Sequence, residues 1–115
     1  MNEFVLYLTN AIETANQKEQ ELINTERKDE ANLQKIRANI YGICRTVFDV
    51  TAKTKNGIKL NEEYWNRLDN LPKNWVESYE KAKIHNDVEK ILIEETKLEV
   101  LNEVKEKFRT FVESR

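Results

Sequence analysis

The chain has 115 residues, of which 39% are apolar and 35% charged, with 19 basic against 21 acidic side chains and a net charge of −2. This length suits one domain with one modest core, and the apolar share excludes a disordered chain. No basic block stands out to neutralise a phosphate backbone, which argues against nucleic-acid binding.

Two glycines and one proline leave too few turn residues for a strand-rich fold, so helices are expected throughout. No stretch approaches the ~20 consecutive apolar residues of a membrane span. Met1-Asn2-Glu3 lacks the positive start of a signal peptide, and the apolar run Phe4 to Leu8 is too short for its core. The single Cys44 has no intrachain disulfide partner. A cytoplasmic location is the expectation.

In the first fifty-odd residues, apolar side chains fall at Val5, Leu8, Ile12 and Ala15, then at Leu33, Ile36, Ile40, Ile43, Val47 and Val50. The second set alternates steps of four and three, the seam of a coiled coil. Steps of seven from Val5 carry the same register through Ile12, Glu19 and Glu26 to Leu33, Ile40 and Val47. Between Asn16 and Asn32 the only large apolar residues are Leu22 and Ile23. Two arrangements fit this polar waist. One is a single helix over residues 2–53, roughly 75 Å long. The other breaks near residues 24–29, with Asp29 as a cap for the second helix. Preserved register, and a waist without Gly or Pro, favour the single helix. Its apolar ends would then need a second chain.

Tyr41, Cys44 and Phe48 form a second apolar face beside the seam, and a helix apolar on two sides has neighbours on two sides. Gly42 lies between the faces. A mid-helix glycine costs about 1 kcal/mol relative to alanine, and close helix–helix approach there would offset it.

Asn56-Gly57 marks a break. Asn61 is a suitable cap for a short helix over 61–70, and Pro72 stands where a helix over 73–84 would begin. Asn86, with Glu89 three residues on, resembles a capping box opening a last helix over 87–114. That helix carries Val88, Ile91, Leu92, Leu98, Leu101, Val104, Phe108 and Phe111 on one face, interrupted at Glu95.

Chemical signatures are few. His85, the only histidine, has Ala82 three residues before it, so the Glu-x-x-His pattern of a di-metal bundle is absent. It is expected to be a helix-junction residue. Cys44 reads as a small buried hydrophobe. Glu95, Glu99 and Glu103 form an acidic stripe that reads as a wet face, and Glu19 and Glu26 as solvated seam positions. No catalytic residue, cofactor site or metal site is expected.

The densest aromatic stretch is Tyr64, Trp65, Trp75 and Tyr79, which holds both tryptophans. It is expected to close one end of the bundle, or alternatively to form a groove for an apolar ligand or peptide. The fold class is therefore all-α: one domain over residues 1–115, a helical bundle of long amphipathic heptad helices with two short linking helices. The function expected from it is non-enzymatic, through helix–helix contact, in a homodimer or with another helical protein. The seam Leu33, Ile36, Ile40, Ile43, Val47 and Val50 is its expected contact surface.

Overall fold

The computed structural model describes residues 2–114, with five helices and no strand among them: α1 (Asn2–Asn24), α2 (Lys28–Ala52), α3 (Gly57–Asn70), α4 (Lys73–Ile84) and α5 (Val88–Glu113). The chain is a helical bundle.

The long first segment is two helices, which overturns the single helix favoured by the register. The chain reverses at Thr25–Arg27. Glu26 takes a left-handed φ of 61°, Arg27 N–H donates to the Leu22 carbonyl at 2.8 Å, and Glu26 N–H donates to the Ile23 carbonyl at 3.1 Å. This is a Schellman closure, which commonly places glycine at the left-handed position. Here a glutamate occupies it, so the usual signal is missing. Asp29 does not cap α2: the cap position is Arg27, without a side-chain hydrogen bond, and Asp29 lies in the first turn. The same closure ends α4. Asp87 N–H reaches the Ala82 carbonyl at 2.9 Å, and Asn86 is left-handed at φ 54°. Asn86 therefore belongs to the turn, while the Asp87 side chain caps α5 by accepting from Lys90 N–H at 3.1 Å. Helix α3 starts at Gly57, four residues before Asn61, with that glycine at φ 56°.

Helices α1 and α2 form an antiparallel hairpin. Helix α5 runs parallel to α2, because Arg37 reaches Glu99 and, one turn on, Tyr41 reaches Glu103. It runs antiparallel to α1, because Phe4 meets Phe108 while Tyr7 meets Glu103. Helix α3 crosses one end, and α4 folds back along α5.

The core lies where the start of α1, the end of α2, α3 and the end of α5 converge. Phe4 is at its centre, with Phe48, Tyr64 and Phe108 edge-on at centroid distances of 5.5, 5.8 and 5.1 Å. Aromatic pairs favour this geometry, and each ring buries a large apolar area. Leu8, Cys44, Leu68, Leu101 and Val104 extend the core. The face of α2 that enters it is Tyr41, Cys44 and Phe48, with Ile40 at its edge. Gly42 does not mark a close approach: a methyl group there would meet no atom within 4 Å.

The opposite pole is open. It holds the α1–α2 turn, the α4–α5 turn and the exposed side chains Ile84, Val88 and Leu92. The molecule measures 44 × 34 × 23 Å with a radius of gyration of 15.5 Å, where a compact domain of this length has about 13 Å. Its accessible surface is 7560 Å², against about 6,600 Å² for a compact monomer of this mass.

Candidate functional site

Three places on the molecule carry polar chemistry or uncovered apolar surface. The first is a carboxylate clamp between three helices. Glu103, on α5, accepts from the Tyr7 hydroxyl of α1 and from the Tyr41 hydroxyl of α2, the latter at 2.7 Å. Arg37, one turn before Tyr41, lies 3.5 Å from the other Glu103 oxygen. It also donates to the Tyr41 hydroxyl at 3.2 Å and meets Glu99 at 3.5 Å. The acidic stripe is thus divided. Glu103 is half-buried and fully engaged, whereas Glu95 is exposed and accepts only a long bond from Tyr79 at 3.4 Å.

Burial first, and then the Glu103 carboxylate, make both phenols harder to ionise. Tyr41 is pushed up to about 12, and Tyr7 further. Both therefore stay protonated and act as donors, and neither supplies a phenolate base near neutral pH. The clamp floors a cleft of about 460 Å³ between α1 and α2, edged by Glu3, Asn10, Lys18 and Gln34. Sequence spacing did not single out this constellation, because its members come from three separate helices. The only advance signal was that Tyr7 and Tyr41 each carry a polar tip beside an apolar face.

The second place is a groove between α3 and α5, about 490 Å³ in volume, with a floor of Trp65, Phe108 and Val112. Trp65 stacks on Phe108 with ring centroids 6.5 Å apart and planes 24° apart. Of the four aromatics singled out in the sequence, Trp65 alone lines this groove. Tyr64 is in the core, where its hydroxyl donates to the Cys44 carbonyl at 2.8 Å. Trp75 packs half-buried against the core from α4, and Tyr79 lies under the Lys83 ammonium. The four do not form one pocket.

The third place is the open pole. A groove of about 430 Å³ is lined there by Leu33, Val88, Leu92 and Ile93, with Asp29, Glu30 and Glu89 at its edge. Ile84 is 76% exposed, Val88 75% and Leu92 48%. The six seam residues of α2 separate along their length. Ile40 is in the core at 3% exposure, and Ile36 and Val47 pack against it. Ile43 and Val50 are exposed, and Leu33 opens onto the groove at the open pole. The seam therefore serves mainly as intramolecular packing, because α1 folds back in the place where a partner helix would lie.

Other candidates occupy plain positions. His85 is exposed at the end of α4. The Cys44 thiol is buried, and burial pushes it up to about 12. Among the described residues no three His, Cys, Asp or Glu side chains converge as a metal site, and no helix is long and apolar enough to cross a membrane. A buried acid does occur beside the stripe, at Glu94. It is 4% exposed, with Oε1 3.2 Å from Lys97 Nζ and Oε2 without a hydrogen-bond partner. Glu94 follows Ile91 by three residues and precedes Leu98 by four, so it fills a gap in the apolar stripe.

No family model matches the chain, and comparison with the curated proteins and with the solved structures finds no match either.

Proposed function

We propose that this is a non-enzymatic cytoplasmic protein that works through helix–helix contact, and that the open pole joins two copies of the chain. One observation carries the reading: the chain has about 1,000 Å² more surface than a compact monomer of its mass, and three exposed aliphatic side chains, Ile84, Val88 and Leu92, gather at one pole, whereas Ile58 and Leu6, also exposed, lie at the other end on α3 and α1. A standard interface covers about 800 Å² on each partner. In a chain so rich in charge, Ile84, Val88 and Leu92 together on the surface call for cover.

The choice of a second copy follows from the charge around the patch. Asp29 and Glu89 are each next in sequence to a lysine, Lys28 and Lys90, and all four are exposed. A patch edged by both signs is self-complementary across a two-fold axis, where each residue meets its counterpart's neighbour. Of the heptad seam only Leu33 lines this pole; Ile36, Ile40 and Val47 are covered within the chain, and Ile43 and Val50 are exposed further along α2.

The test is light scattering on the wild-type chain and on a V88E/L92E variant. Both side chains are exposed, so the variant should keep its helical circular dichroism. The expected result is a dimer mass for the wild type and a monomer mass for the variant. A wild-type monomer at every concentration, or a variant that still dimerises, would overturn the proposal.

A further inference from the structure

The groove between α3 and α5 faces away from the open pole, and its chemistry differs. Its floor is π-rich, with Trp65 stacked on Phe108 and Val112 beside them. Its edge carries Glu62 and Glu113. Neither carboxylate has a hydrogen bond or ion pair among the described residues. The one cation lining the groove, Arg109, is already engaged by Glu106 at 2.5 Å. Lys105 lies 5.1 Å from the Trp65 ring and is held by Asp69 at 2.5 Å. Of the groups lining the groove, the one cation is thus neutralised by its own partner while the two acids are not; Lys55 and Lys59 stand beyond Glu62, in the adjoining hollow.

From this charge imbalance over an aromatic floor, we propose that the groove is a binding site for a small amphiphilic organic cation. The apolar body of such a ligand would lie on Trp65, Phe108 and Val112, with its ammonium towards Glu62 and Glu113. Ring faces attract cations through their quadrupole, and the contact that Lys105 makes shows the Trp65 ring already in that use. A volume of about 490 Å³ falls within the range of small-molecule sites, roughly 300–1,000 Å³. An anion would meet Glu62 and Glu113 unfavourably, and a neutral body of the same shape would gain only the apolar contact. The inference is independent of self-association, since it uses another face.

The experiment uses W75F, which leaves Trp65 as the only tryptophan. Benzyltrimethylammonium is titrated in while Trp65 fluorescence is followed, beside neopentylbenzene as the neutral isostere and benzenesulfonate as the anion. The expected result is a saturable change with the cation, a markedly weaker one with the isostere and none with the anion. E62Q/E113Q in the same background should weaken cation binding about fivefold, as expected for two exposed charge contacts, and added salt should narrow the gap. These two side chains make no contact that folding needs, so loss of fold would not confuse the result. Equal binding of the neutral isostere, an unchanged affinity in E62Q/E113Q, or the absence of any saturable response would each overturn the proposal.

Discussion

The two poles of this molecule use the same kinds of residue to opposite ends. At the aromatic pole Phe4, Tyr64 and Phe108 come from three helices and exclude solvent from one another. At the open pole Ile84, Val88 and Leu92 are also apolar, yet they face water. The difference is geometric. Four helices converge at the first pole, whereas at the second the chain only turns, twice, with no helix crossing over it. Apolar character in the sequence signals a demand for cover. Topology decides whether the chain meets that demand itself.

This contrast predicts very unequal mutational costs. Phe108→Ala should destabilise the protein by about 3–5 kcal/mol, the usual cost of truncating a buried aromatic. Val88→Ala should change monomer stability by no more than about 0.5 kcal/mol. Urea denaturation of dilute samples compares them, and similar costs would mean that the open pole is packed after all.

Alkaline pH should also act on the aromatic pole and on the clamp beside it. Burial raises Tyr7, Tyr41 and Tyr64 above the ordinary phenol value of 10.0, with Tyr41 at about 12. A group whose folded value is raised contributes stability that is whole below its unfolded value and is lost as pH rises through its folded one. Stability should therefore be unaffected by these phenols up to about pH 10 and fall between 10 and 12. Phenolate absorbance at these tyrosines should appear together with loss of helical circular dichroism. Free ionisation near pH 10 with the fold intact would contradict their burial.

A smaller effect tests Glu94, the one polar side chain buried with an unpartnered oxygen among the described residues. Glu94→Met should stabilise the chain by about 1–2 kcal/mol, since replacing a poorly compensated buried charge with an apolar side chain is often favourable. A loss would show that the Lys97 pair contributes more than its desolvation costs. A further modest gain is expected outside both poles. Gly42→Ala should add about 0.5–1 kcal/mol, because the backbone there is helical and a methyl group has room. Destabilisation would mean that a close neighbour does sit at Gly42.

The helices and most of their ends were legible in the sequence. Period and Pro72 gave α4 its bounds and period gave α5 to within a residue, but the cap residues read from the sequence, Asp29, Asn61 and Asn86, are not the caps. The reversal at Glu26 was not legible, because the residue that marks a Schellman closure, glycine or asparagine, is absent there, whereas Asn86 marks its counterpart. Once α1 folds back, Ile36, Ile40 and Val47 of the heptad seam become internal while Ile43 and Val50 stay exposed, so half of a pattern that looked intermolecular describes packing within the chain. Periodicity reports that two helical faces meet, and carries no information on whether they share a chain. The Glu103 clamp and the Trp65 groove were illegible for a related reason. Each joins residues from different helices, and only the path of the chain brings them together.

The most direct test of the central claim, that the open pole rather than the seam joins two copies, is a dilution series of amide NMR spectra. The account predicts concentration-dependent shifts at Leu33 and from Ile84 to Ile93, with Ile40, Cys44 and Phe108 unmoved. Shifts confined to α2 around Ile43 and Val50, or spectra that do not change with concentration, would contradict it.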